Sequence, residues 1–212
     1  ATESGYSTFD LGPTWSPDGK SLAFIHLNDS GSSIFVMNAD VTGLKNLTPD
    51  NGSVRQFAWS PDGSKLAYFT RQRQPAGDYL AEIRVTNADS SGQKTILTFR
   101  PKRVFYTDLA WSPDGTRLLF ASANDGGKGQ SLYLVYFDGS GLTRLTDNSL
   151  WNSRRTWSPD GRWIAFVSEV DGDEEIYALN VEDAFRDPGG LMPIRLTFSP
   201  GVDTNPQWQP RR

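Results

Sequence analysis

Four aspartates stand in identical surroundings. Asp18, Asp62, Asp114 and Asp160 each take the fourth place in a Trp-Ser-Pro-Asp-Gly stretch. A recurring set of carboxylates invites a catalytic reading, but the spacing argues for structure. The stretch starts at Trp15, Trp59, Trp111 and Trp157, and a degenerate copy follows at Trp208-Gln-Pro. A long motif at near-constant intervals marks a repeat architecture. Within each copy Pro presets φ, Asp bonds the backbone that follows it, and Gly accepts a left-handed conformation, which together make a turn. The motif tryptophans read as packing between neighbouring sheets.

Chemistry is better sought where the copies differ. Three residues before each Trp stand Gln56, Asp108, Arg154 and Asn205; four before stand Arg55, Thr107, Ser153 and Thr204. Polar, unlike residues converging at one end of a repeat array suit recognition of a ligand or peptide. A glycosidase needs two carboxylates about 5–10 Å apart, and Asp10, Asp108 and Asp203 are the aligned candidates. A serine triad is excluded on two grounds: no Gly-X-Ser-X-Gly elbow is present, and the single histidine, His26, follows an apolar run. The chain has no cysteine, which removes disulfides, thiol catalysis and Cys-zinc sites. The acidic run Asp171-Gly-Asp173-Glu174-Glu175 lacks the ligand order of an EF-hand loop and reads as a solvated hairpin tip. No catalytic residue, metal site or cofactor is expected.

The net charge of −4 gives no footprint for nucleic acid. The clusters Arg71/Arg73, Arg100-Lys102-Arg103 and Arg154-Arg155 are short and interrupted. No run of about 18 apolar residues is present to span a membrane. The irregular insertions at 71–79, 99–106 and 182–193 mix Arg with Tyr or Phe, a composition found at binding hot spots.

The repeat itself dictates the elements. Seven to nine residues after each Trp lie Leu22-Ala23-Phe24, Leu66-Ala67-Tyr68, Leu118-Leu119-Phe120 and Ile164-Ala165-Phe166. These short apolar blocks predict a strand buried on both faces, folded back on the Trp strand by the turn. A third strand is predicted at Ile34–Met37, Ile83–Val85, Leu132–Val135 and Ile176–Leu179. A fourth ends on Leu-Thr at 47–48, 97–98, 145–146 and 196–197. Val181–Arg186 is the one helical candidate. Four antiparallel strands per unit make the blade of a β-propeller. The expected fold is therefore all-β: four complete four-stranded blades (about 11–48, 55–98, 107–146 and 153–197) and the first strand of a fifth (202–210), in a single array over 1–212.

The units Trp-Ser-Pro-Asp-Gly-Lys-Ser-Leu-Ala-Phe-Ile, Ile-Phe-Val-Met-Asn-Ala-Asp and Gly-Leu-Lys-Asn-Leu-Thr resemble the propeller repeats of the TolB family, over Leu11 to Pro210. The resemblance implies an extracytoplasmic bacterial setting, periplasmic or secreted. Family members combine six blades with an α/β domain, whereas this chain carries four copies and a stub. Three accounts of the stub stand open: it closes a four-bladed ring, the chain is part of a longer propeller, or the strand is donated to another subunit. The expected function is a non-enzymatic interaction or assembly module with a protein partner or itself. Val202, Asp203, Thr204, Asn205, Pro206, Gln207 and Trp208 form the donated strand in that reading. The alternative is peptide binding at the channel mouth through the residues upstream of each Trp.

Overall fold

The computed structural model describes residues 8–49, 53–100, 109–122, 130–146, 152–170, 172–187, 192–198 and 201–209. Among the described residues, sixteen short strands form four sheets, each a simple antiparallel meander of four. The first holds β1 (Phe9–Trp15), β2 (Ser21–Asn28), β3 (Gly31–Asn38) and β4 (Lys45–Asn46). The second holds β5 (Val54–Trp59), β6 (Lys65–Arg73), β7 (Tyr79–Asn87) and β8 (Lys94–Phe99). The third holds β9 (Ala110–Trp111), β10 (Arg117–Ser122), β11 (Ser131–Tyr136) and β12 (Thr143–Arg144). The fourth holds β13 (Asn152–Trp157), β14 (Trp163–Ser168), β15 (Glu175–Asn180) and β16 (Ile194–Arg195). One helix, α1 (Val181–Arg186), follows β15. The chain divides into two compact units, 1–100 and 101–212, so each holds two sheets.

The repeated turn is a closed circuit of local bonds. In each copy the Ser Oγ donates to the Asp carboxylate, at 2.7 Å from Ser16 to Asp18 and 2.6 Å from Ser60 to Asp62. Ser112–Asp114 and Ser158–Asp160 repeat this at 2.5 and 2.6 Å. The same Ser Oγ accepts a backbone N–H from the start of the returning strand, at 2.9 Å in all four copies. The Gly N–H closes onto the Ser carbonyl with φ near 70°, a conformation that costs an L side chain about 1–2 kcal/mol. The Leu-Thr endings have a similar logic. Thr48, Thr146 and Thr197 each accept, through Oγ1, the N–H of Ile34, Leu132 or Ile176 on the third strand. A two-residue outer strand is thereby held by a side chain where the ladder is too short to hold it.

Sheets face one another with a fixed division of labour. In the first unit Ala23, Ile25, Ile34 and Leu47 of one sheet bury against Val54, Leu66 and Tyr68 of the next. In the second unit Leu119, Ala121, Leu132, Leu134 and Leu145 meet Ile164, Phe166, Tyr177 and Leu179. In the second and fourth sheets the residue seven after the Trp and the aromatic nine after it thus face the preceding sheet, and in the first and third sheets the residue eight after the Trp faces the following one. This is the alternation a strand buried on both sides requires. The turns stack too: Pro17 Cδ lies 3.5 Å from where a Cβ on Gly63 would stand, and Pro113 Cδ lies 3.6 Å from that point on Gly161.

Candidate functional site

The first sheet breaks the pattern on one side. Every residue of β1 is exposed, with Phe9 at 54%, Leu11 at 50% and Trp15 at 54%. Leu22 and Phe24 are only half-buried, whereas Leu66, Tyr68, Leu118, Phe120, Ile164 and Phe166 are buried. Trp15, Leu22 and Phe24 share the face that meets a preceding sheet in the second and fourth sheets, whereas Phe9 and Leu11, opposite Leu27 and Ile25, lie on the other face. Asp10 and His26 lie on the same face as Leu22 and Phe24, paired across β1 and β2 with Oδ1 and Nδ1 2.7 Å apart. His26 also packs edge-on against Phe35. The sole histidine is thus a cross-strand partner, as the sequence suggested of a lone surface His.

The segment 201–209 is the other departure. It was expected to supply the first strand of a fifth blade, donated to a neighbour. It forms no strand, and it is engaged on its own fourth sheet. Trp208 Nε1 donates to the Thr156 carbonyl at 3.2 Å. Trp59 Nε1 donates to the Thr14 carbonyl at the same distance, so each indole reaches the residue preceding the Trp of the sheet before. The upstream anchor corresponds as well. Asp203 N–H donates to the Glu174 carbonyl at 2.8 Å, as Ser32 Oγ donates to the Val54 carbonyl at 2.5 Å in the first unit. Asp203 and Val54 each lie five residues before their Trp. The segment thus lies against the fourth sheet of its own chain, at positions that correspond to an inner strand. Among the described residues no second strand pairs with it, so it makes no ladder. Trp157 is an exception among these indoles: its Nε1 is buried with no acceptor among the described residues.

The variable positions upstream of Trp15, Trp59 and Trp157 sit at β-bulges. The register of β1 on β2 shifts between Leu11 and Thr14, that of β5 on β6 between Val54 and Gln56, and that of β13 on β14 between Ser153 and Thr156. Gly12, Arg154 and Asn205, each three residues before a Trp, hold φ of 60°, 45° and 60°. Bulges re-aim side chains at sheet rims. Arg55, Arg154 and Asn205 are exposed there, and Gln56 and Thr204 are half-buried. Thr107 and Asp108 lie outside the described residues. So does Asp171 of the acidic run. Its last member, Glu175, is turned inward at 1% exposure and bonded to Arg195 Nη2 at 2.5 Å and to Thr197. The hydrogen bond from Thr197 holds its carboxyl below the usual range; burial opposes this and Arg195 assists it. No group of three His, Asp or Glu side chains suited to a metal ion is found among the described residues.

Three of the turn carboxylates are also held low. The Ser60 hydroxyl, then the Ser64 backbone and hydroxyl, lower Asp62 to about 2. Asp18 is lowered chiefly by Ser16. At Asp114 partial burial works upward, and the bonds from Ser112 and Thr116 outweigh it. A carboxylate depressed in the folded state stabilises above its unfolded pKa, near 3.8, and loses that contribution as pH falls through the folded value. The melting temperature is thus expected to fall between pH 4 and pH 2. Asp62→Asn should lower it at pH 7 and flatten that acid limb; an unchanged limb in thermal scans would count against the turn as its source.

The PD40 family profile, described as TolB beta propeller domain, matches residues 58–212. The chain belongs to the TolB β-propeller family. Its sequence is 33% identical over 103 residues to the Tol-Pal system protein TolB of Gluconobacter oxydans, covering 48% of this chain and 22% of that one. An uncharacterised protein of Agrobacterium fabrum is 30% identical over 134 residues, covering 63% of this chain and 42% of that protein. The chain therefore spans less than half the length of these curated relatives. Among solved structures, TolB from Acinetobacter baumannii superposes with a TM-score of 0.64 at 22% identity, covering 90% of this chain and 44% of that one. A puromycin-hydrolysing peptidase of Mycobacterium tuberculosis gives 0.69 at 15% identity, covering 92% and 32%. At such identities these likenesses speak to the fold alone. The TolB-like propeller expected from the repeats is thereby established. No helix among the described residues is long and apolar enough to cross a membrane.

Proposed function

We propose that this TolB-like chain is a non-enzymatic interaction module of an extracytoplasmic bacterial setting, and that it assembles head to tail with further copies of itself. One observation carries the reading: the open face of the first sheet presents Trp15, 54% exposed, beside Leu22 and Phe24, both only half-buried. In the second and fourth sheets, where a preceding sheet is in place, the residues equivalent to Leu22 and Phe24 (Leu66, Tyr68, Ile164 and Phe166) are buried. The fifth-unit segment offers the complement. In Trp59 and Trp208 the indole bonds the carbonyl of the residue before the previous Trp, so the next acceptor in the series is the Gln207 carbonyl. Gln207 itself is exposed. Seated there, Trp15 of a second copy repeats the contact that orders the sheets within the chain. Such a contact joins two different surfaces and so propagates into rings or filaments. Burying three large apolar side chains contributes about 1.5–3 kcal/mol for each one fully buried.

The one histidine is spent on Asp10 and Phe35, and the turn carboxylates are spent on their own Ser and backbone partners. Sedimentation velocity across a concentration series tests the assembly. The wild-type chain should form species above the 23.5 kDa monomer. Trp15→Glu should return it to the monomer with its circular dichroism unchanged. A wild-type chain that stays monomeric at every concentration overturns the reading.

A further inference from the structure

A cavity of about 580 Å3 lies between the third and fourth sheets, at the insertion that carries α1. Arg117, Arg162, Asn180, Val181, Glu182 and Phe185 line it. Its size suits a ligand of one or two amino-acid residues. Arg117 is half-buried and clamped between rings, its guanidinium carbon 5.2 Å from the Tyr136 centroid and 4.8 Å from that of Phe185. It forms no ion pair among the described residues, and its Nε–H is buried without an acceptor. Its Nη2 reaches only the neutral Tyr136 hydroxyl, at 3.4 Å. Charged groups withdrawn from water are normally paired; the Asp114 carboxylate feels this charge but forms no ion pair with it, so a paired anion is missing. Arg162, exposed on the same cavity, adds a second cation. Glu182, the one acid on the lining, is held by Arg186 at 2.6 Å. Asn180 spends its Oδ1 on capping α1 through Glu182 N–H and Asp183 N–H.

The scaffold does not require this arrangement. At the equivalent places between the first and second sheets stand Ser21 and Ser64, and no helix follows β7. We propose that the cavity is a carboxylate site, taking a carboxylate on an aromatic or apolar stem. The planar acid pairs with the guanidinium forks of Arg117 and Arg162, which suit it in shape as well as charge. The stem packs on the Phe185 ring and Val181. Both a peptide C-terminus and a free aromatic acid carry this chemistry. The proposal uses none of the residues assigned to assembly.

Titration calorimetry on the full chain tests it with N-acetylphenylalanine, a tripeptide ending in phenylalanine, and the C-terminal amide of each. The acids should bind, and the amides should bind at least about tenfold more weakly, as loss of a charge-assisted pair implies. A tripeptide tighter than the acetylated residue assigns the site to peptide termini; the reverse order assigns it to free acids. Arg162→Gln, at an exposed position, should weaken the acids about tenfold or more without lowering the melting temperature. Phe185→Leu should weaken acid and amide together, and serves as the second variant because Arg117 is built into the packing. Equal binding of acid and amide, no binding of either acid at millimolar concentration, or an unchanged affinity in Arg162→Gln overturns the proposal.

Discussion

Arg195→Met should lower the melting temperature by on the order of 10 °C, the scale expected when a buried pair loses one partner. Glu175 starts β15 at 1% exposure, so its carboxylate depends on what surrounds it. Arg195 Nη2 meets it at 2.5 Å, while Arg195 Nε donates to the Thr197 carbonyl at 2.7 Å. Thr197 in turn donates to Glu175 and accepts from Ile176 N–H. Arg195 also lies over the Phe198 ring, 4.9 Å from its centroid. Methionine keeps much of the stem and removes every one of these donors. The double variant Glu175→Leu with Arg195→Met should recover most of the loss, because a buried pair replaced by apolar groups is often neutral. Equal melting temperatures for the single and double variants would show that the pair is not what holds β16 in place.

The second large effect is graded along the chain. Phe24, Tyr68, Phe120 and Phe166 occupy one position in four sheets, and all but Phe24 are buried. Phe120→Ala and Phe166→Ala should each cost about 3–5 kcal/mol, the range for emptying a packed aromatic site. Phe24→Ala should cost about 1–2 kcal/mol, since its face is partly wet already and less area is returned to water. Urea unfolding of the three variants decides the matter. A Phe24→Ala loss equal to the other two would mean that the first sheet is covered in solution, which under dilution also measures assembly.

The blade was readable because each of its parts has a local signature. The Leu-Ala-Phe block, the Ser-Pro-Asp-Gly turn and the Leu-Thr ending specify strands, hairpins and clasp within a few residues of sequence, and the structure realises each of them. Helix α1 was visible as Val181–Arg186, with Asn180 ahead of it as a capping residue. The docking of 201–209 was not readable. The Trp208 copy showed that an inner strand was present, but its acceptor, the Thr156 carbonyl, lies 52 residues away and carries no side-chain signal. The bulges were half legible. Gly12 and Asn205 suit a positive φ, whereas nothing in an arginine announces that Arg154 shares it. The cavity stayed hidden for the opposite reason. Arg117 and Arg162 sit in the registers of the turn and returning strand, where a repeat reading treats any residue as scaffold.

The Ser-to-Asp turn circuits also bear on how the chain reaches this state. Each closes entirely within a few consecutive residues, so it needs no neighbour to form. Four hairpins can nucleate independently as the polypeptide emerges, each on a timescale of roughly 1–10 μs. Joining one meander to the next requires closing loops of about forty residues, a slower search whose entropy must be lost first. The rate of acquiring the native state is therefore set by collisions between preformed hairpins. Weakening one turn slows a single early event and leaves the other three untouched.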